Sequence, residues 1–251
     1  MILARSIAIY SATLLWALIF WPVFFLPVLA AFLLPAAKRR HLLRVLLLLF
    51  GLSTVRFVWR PFFRISYEDK TEGFTGPGIV VADHRSAIDA FLVALPGRSV
   101  AQTVNGWPLR LPVLGPVARA AGYLNITEWD HDTLRARTKE VFAAGDPVVS
   151  YPEGTRSESR KMNPFHSGIF QIAMELDVPV YMLCIAGNQY MPDRKFRFRE
   201  FRNLKVHLLG PVTTDEIRQC ASAYALKMKV FRRMTDELAS MDAELDHEET
   251  L

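Results

Sequence analysis

From Ser6 to Ala37 the chain carries no charged residue, a run longer than the roughly 20 apolar residues that a membrane-spanning helix requires. A core helix of a soluble protein seldom needs so long a stretch without charge. A signal peptide fits poorly, because Lys38-Arg39-Arg40-His41 stands where a small-residue cleavage site belongs. Pro22, Pro27 and Pro35 interrupt the run. Two geometries are open. Residues 6 to 34 cross once, with the positive residues after them holding the rest of the chain in the cytoplasm, or the proline-broken run folds as a hairpin that dips into one leaflet. A second apolar run, Val45 to Val55, is flanked by Arg44, Arg56, Arg60 and Arg64. It is short for a span and suits an interfacial position, with the arginines snorkelling to headgroups. Residues 1–60 are therefore expected to form a membrane-associated helical segment, and residues 61–251 a globular domain on the cytoplasmic face.

A net charge of +5 and a pI near 9.3 suit nucleic acid, an anionic membrane or a phosphorylated substrate equally. The apolar N-terminus selects an anionic membrane as the partner and speaks against nucleic acid. Cys184 and Cys220 are the two cysteines, and they lack metal-ligand spacing, so neither a disulfide framework nor a zinc site is expected.

After Pro61 short β-rich runs alternate with amphipathic stretches, the pattern of an α/β fold with a mostly parallel sheet flanked by helices. The expected strands are 63–67, 79–82, 99–104, 123–126, 148–151, 180–185 and 205–209, and the expected helices 87–95, 131–144, 165–176 and 214–240. In a parallel sheet the binding loops lie at the carboxyl ends of the strands.

Two such loops carry chemistry. Ile79-Val80-Val81-Ala82 runs into Asp83-His84-Arg85-Ser86-Ala87-Ile88-Asp89, and Ser86 is placed to cap a helix beginning at Ala87. A carboxylate at that spacing can hold one imidazole nitrogen of His84 and leave the other to act as a general base. Val148-Val149-Ser150-Tyr151 likewise leads into Pro152-Glu153-Gly154-Thr155-Arg156. There Gly154 allows a tight turn with accessible N–H groups, Thr155 adds a hydroxyl, and Arg156 offers a cationic fork suited to phosphate.

His84-Arg85-Ser86-Ala87-Ile88-Asp89 followed by Glu153-Gly154-Thr155-Arg156 resembles the motif pair of the PlsC-like glycerolipid acyltransferases, typified by 1-acylglycerol-3-phosphate acyltransferase. The resemblance covers roughly residues 62 to 212, and the N-terminal segment is similar to the two-helix membrane element of bacterial members. Gly122-Tyr123-Leu124-Asn125-Ile126, Asn163-Pro164-Phe165-His166-Ser167-Gly168 and Val178-Pro179-Val180 match further family blocks in part. The first continues Thr127-Glu128, where phosphatidic-acid-forming members have an arginine for the acceptor phosphate. Arg119, Arg135 or the cluster from Arg194 to Arg202 are the candidates to replace it.

The resemblance implies a membrane-bound enzyme in which His84 and Asp89 are catalytic. Arg156 would hold the acceptor headgroup, with Glu153, Gly154 and Thr155 shaping the substrate pocket. The acceptor implied is a lysophospholipid, first 1-acylglycerol-3-phosphate acylated on its 2-hydroxyl to phosphatidic acid. The donor is an acyl thioester, acyl-CoA or acyl carrier protein, and no cofactor or metal is implied. Another lysolipid acceptor, a lysophosphodiester or an amino-acid lipid, is the alternative, as is a non-catalytic lipid-binding protein. No serine or cysteine stands in a nucleophile-elbow pattern, so a covalent acyl-enzyme is not expected. Arg194 to Arg202 alternates cations with phenylalanines, the pattern of an extended segment with one charged and one apolar face.

Overall fold

The computed structural model describes residues 2–111, 114–193, 195–199 and 203–250. The chain opens with a helical hairpin, α1 (Ile2–Ala31) and α2 (Ala36–Ser53), the latter running on as a π-helical segment, Thr54–Trp59. Then follow β1 (Ile65–Lys70), β2 (Ile79–Ala82), α3 (Asp89–Leu92), β3 (Ala101–Val104), α4 (Leu114–Ala120), β4 (Leu124–Asn125), α5 (His131–Ala143) and β5 (Val148–Ser150). The remaining elements are α6 (Gly168–Leu176), β6 (Val180–Ala186), β7 (Leu204–Val212), α7 (Thr214–Arg218) and α8 (Ala223–Thr250).

The seven strands form one sheet in the order β1-β7-β6-β2-β5-β3-β4. Every neighbouring pair is parallel except β6 with β7. Ile79 stands in register with Val148 on one side and Val180 on the other, so the loops after β2, β5 and β6 open on one edge. Both faces of the central strands are covered, which explains their unbroken apolar sequence. Ile79 and Val81 pack towards Phe170 and Ile172 of α6 and Leu226, Val230 and Met234 of α8. Val80 and Ala82, on the alternate face, pack with Ile88, Leu92, Val55, Val58 and Trp59. The N-terminal hairpin thus supplies part of one covering layer. It is fixed there by Arg44, buried, which donates from Nε to the carbonyl of Ala121 at 2.8 Å and from a terminal nitrogen to Asp146 at 2.8 Å.

Several expectations are corrected. The proline-bearing run is one continuous helix with Pro22 and Pro27 inside it. The hairpin bend falls after it, and Trp16 to Ser53 (3.2 Å) and Trp59 to Thr13 (3.1 Å) bond the antiparallel pair. The run Val45 to Val55 is no separate interfacial piece but the middle of α2 and its π-helical extension, half covered by the rest of the protein. The helix expected over 214–240 is two, because the chain breaks at 219–222 between α7, which a Thr213–Glu216 capping box opens, and α8. The sequence pattern did not indicate α4. Of the alternating cluster, Arg194, Glu200, Phe201 and Arg202 lie outside the described residues. The described part is a turn rather than a strand: Asp193 accepts from Arg197 and Arg199, and Phe198 is buried while Phe196 is exposed.

Candidate active site

β2 ends at Ala82 because the next residues turn inward on polar contacts. Asp83, without exposure, accepts the N–H of Ile185 at 2.7 Å, which ties the loop to β6. Arg85, equally buried, reaches Asp242 of α8 with two nitrogens at 3.0 Å and stands 3.4 Å from Asp83. With its neighbours so anchored, His84 projects into the site, its side chain 23% exposed. Its Nδ1 lies 2.9 Å from Asp89 Oδ2, and no bond to Nε2 is found among the described residues. The ring lies 4.6 Å from that of Tyr151. Asp89 opens the short helix α3, fully buried, and also accepts the N–H of Ser86 at 2.8 Å. The expected helix cap is therefore reversed. Ser86 makes no cap; Ile88 holds that position, and the Ser86 hydroxyl donates to the carbonyl of Met191.

The second motif meets the first through the backbone. Glu153, buried, accepts the N–H of His84 at 2.7 Å with one oxygen and that of Asn163 at 2.7 Å with the other. Burial pushes its carboxyl above the ordinary range, against the pull of these two donors. Burial acts on Asp83 in the same direction and strongly, opposed by Arg85 and reinforced by Asp89 and Glu153. Gly154 adopts φ +71°, and a Cβ there would stand 3.2 Å from His166 Nε2, so the turn is built for glycine. Its N–H, expected to be free, donates to the carbonyl of Tyr151 at 3.1 Å. Thr155 is exposed, and Arg156 is half-buried with one terminal nitrogen that has no hydrogen-bond partner among the described residues.

His84, Gly154 and Arg156 lie at one end of a cavity of about 480 Å³ that runs beneath β3 towards Val100 and Arg98. Its walls are mostly apolar, from Leu47, Phe50, Phe91, Ala94, Val104 and Leu109. The arginines at the far end are engaged: Arg44 as described, Arg98 with the carbonyls of Phe74, Gly76 and Gly145. Two of the suggested substitutes for a phosphate-binding arginine are engaged away from the His84 cavity. Arg119 donates to the carbonyl of Leu109 and lines a second cavity, and Arg135 pairs with Asp132 and Glu175. Glu128 also faces that second cavity, 3.9 Å from Arg110, so its charge is not aimed at the His84 end.

Residues 64–186 match the Acyltransferase family. The fold superposes on the crystal structure of the 1-acyl-sn-glycerophosphate acyltransferase PlsC from Thermotoga maritima with a TM-score of 0.75, covering 96% of this chain and 98% of that one at 20% identity. Residues 64–186 thus form a PlsC-like acyltransferase domain. Among curated relatives, the chain is 30% identical over 115 residues to the chloroplastic 1-acyl-sn-glycerol-3-phosphate acyltransferase BAT2 of Brassica napus, covering 44% of this chain and 33% of that one. It is 26% identical over 184 residues to the 1-acyl-sn-glycerol-3-phosphate acyltransferase of Salmonella typhimurium, covering 67% and 72%. The chain thus spans between a third and under half the length of the plant and algal relatives it matches.

Proposed function

We propose that the protein is a membrane-bound lysophospholipid acyltransferase, with an acyl thioester, acyl-CoA or acyl carrier protein, as donor. The observation that carries this reading is the His84–Asp89 contact of 2.9 Å at the mouth of an apolar cavity. Asp89 fixes the tautomer, so Nε2 of His84 takes the proton of the acceptor hydroxyl while its oxygen attacks the thioester carbonyl. Collapse of the tetrahedral intermediate breaks the C–S bond, the ester forms, and the imidazolium returns its proton to the departing thiolate. A fatty acyl chain suits the cavity, whose walls have few polar groups to leave unpaired.

The leading acceptor is 1-acylglycerol-3-phosphate, acylated on its 2-hydroxyl to give phosphatidic acid. Arg156 lines the same cavity as His84 and has one nitrogen without a hydrogen-bond partner among the described residues, which suits it to the acceptor phosphate. A second reading rests on the same residue. Arg156 is the one cation lining the His84 end among the described residues, and a single guanidinium matches a lysophosphodiester monoanion better than a phosphate dianion. The exposed apolar residues of α1, Leu14, Leu18, Phe25 and Leu29 among them, would enter the bilayer. Because α2 is half covered by the catalytic layer, residues 1–60 are read as a hairpin seated in one leaflet, with the domain of residues 61–251 on the cytoplasmic face of a bacterial-type inner membrane.

The test is thiol release from both donors against a panel of lysolipids, with products identified by mass spectrometry. His84→Ala is expected to lose about 10²- to 10⁴-fold in rate, and Asp89→Asn less. Equal thiol release by His84→Ala and the unsubstituted protein would sink the catalytic assignment. Turnover of a zwitterionic lysolipid with none of 1-acylglycerol-3-phosphate would reject the phosphatidic acid reading alone.

A further inference from the structure

The loop after β6 delivers Asn188 to the carboxylate of Asp89. Asp89 has no solvent exposure, and each of its oxygens is occupied. Oδ2 lies 2.9 Å from His84 Nδ1 and accepts the N–H of Ser86 at 2.8 Å, while Oδ1 accepts Nδ2 of Asn188. Asn188 is itself wholly buried, and its amide oxygen has no hydrogen-bond partner among the described residues. Turning the amide over would set that oxygen against a carboxylate, so charge fixes its orientation. A buried amide that leaves its own acceptor unmatched in order to donate to an acid is costly for the fold alone.

The backbone is shaped to bring it there. Gly187 turns the chain at φ +89°, and a Cβ at that position would stand 2.4 Å from the carbonyl oxygen of Asn203. The Asn188 carbonyl accepts the N–H of Met191 at 2.9 Å, and the Met191 carbonyl in turn takes the hydroxyl of Ser86. The loop and the His84 segment are thereby clasped at two points, of which the Asn188 amide is the one that touches the acid.

We infer that Asn188 is a positioning residue for the His84–Asp89 pair, supplying the hydrogen bond that fixes the Asp89 carboxylate with its other oxygen turned to the imidazole. The surroundings make such a donor necessary. Asp83 from the loop after β2 and Glu153 from the loop after β5 are acidic neighbours of Asp89, and Tyr151 closes the site at the end of β5. Arg85 is the nearby cation, but its guanidinium is committed to Asp242 and Asp83, and Arg156 faces the cavity. The N–H groups of Ser86 and Asn188 are therefore the donors that hold the carboxylate in place. Removing one raises the affinity of the pair for a proton, which depletes the neutral imidazole beside a carboxylate that a general base requires. The consequence for turnover rests on the acyl-transfer reading; the hydrogen bond to Asp89 does not.

The test uses the full chain in detergent micelles, with Asn188→Ala and the isosteric Asn188→Asp, and Asn188→Ala also in an Asp89→Asn background. The NMR titration of the His84 imidazole needs no substrate. Its midpoint is expected to move up by about one pH unit in Asn188→Ala, and further in Asn188→Asp, where two carboxylates share one proton. Adding Asn188→Ala to Asp89→Asn should move it no further, a non-additivity that a merely structural defect would not show. In the thiol-release assay the Asn188→Ala rate should fall about tenfold on the acid limb and recover as pH rises, with KM for the lysolipid unchanged. Unchanged midpoints in folded Asn188→Ala, or in Asn188→Asp should the alanine variant not fold, would overturn the inference. So would an equal shift in the Asp89→Asn background. An unsubstituted protein that turns over no lysolipid would defeat the acyl-transfer reading, while the titration would still decide the role of Asn188.

Discussion

The carboxylate of Glu153 holds the main-chain N–H of His84 at 2.7 Å. The acid of the second motif therefore acts as a bracket between two loops, its other oxygen engaged by Asn163, and is not presented to substrate. Glu153→Gln keeps the volume but offers one oxygen where two are used, so one buried N–H loses its acceptor. The expected cost is about 1–3 kcal/mol of stability, read as a lower denaturant midpoint, together with reduced turnover. A variant as stable as the unsubstituted protein would show that the bracket contributes nothing.

Asp83 and Glu153 set the pH dependence of stability. Burial raises both carboxyls in the folded state, so between the ordinary carboxylate values and the raised ones the folded chain binds more protons than the unfolded chain. Stability contributed by these protons is present at low pH and is lost as pH rises through that window. Asp83→Asn removes the larger of the two effects and should flatten the decline in melting temperature from mildly acidic to neutral pH. An identical slope in both proteins would exclude Asp83 as its origin.

Arg85 and Asp242 join the His84 loop to α8 with two contacts of 3.0 Å. Asp242→Ala leaves a guanidinium without exposure and with Asp83 as its remaining acidic partner, an arrangement expected to cost about 3–5 kcal/mol. Chemical denaturation measures it directly. A loss below 1 kcal/mol would mean that water or another group reaches Arg85 readily.

Val100 lines the cavity at the end opposite His84. Val100→Phe shortens the space and is expected to lower turnover of long-chain donors several-fold while sparing short ones. Parallel losses for every chain length would separate the cavity from the acyl group.

Much of this arrangement was legible in the residues. β2 was bounded correctly as Ile79–Ala82, since a strand buried on both faces has an unmistakable apolar run with polar ends. The juxtaposition of His84 with Asp89 followed from their spacing. Helix α4 was missed because Gly115 and Pro116 read as helix breakers and Leu114–Ala120 is too short for a periodic signal. Nothing local marks Asn188: it is an isolated polar residue after a strand, and its meaning lies in a neighbour 99 positions away. The role of Glu153 was equally hidden, because a carboxylate that binds main-chain N–H groups leaves no complementary residue type to find.

The exposed face of α1 is the remaining expectation. Leu14→Asp with Leu18→Asp alters two residues that are each about three-fifths exposed, so folding should be retained while sedimentation with anionic vesicles falls. Undiminished vesicle binding would remove α1 from the membrane contact.

The covering layer formed by Val55, Val58 and Trp59 over Val80, Leu183 and Ile185 has a consequence for what the chain can lose. Proteolysis between the hairpin and β1 would not release a water-soluble fragment, because the cut would strip one wall from the sheet and bare the strands that carry His84. The N-terminal helices and the sheet share one core layer, so residues 61–251 expressed without them are expected to lack a wall of their own fold.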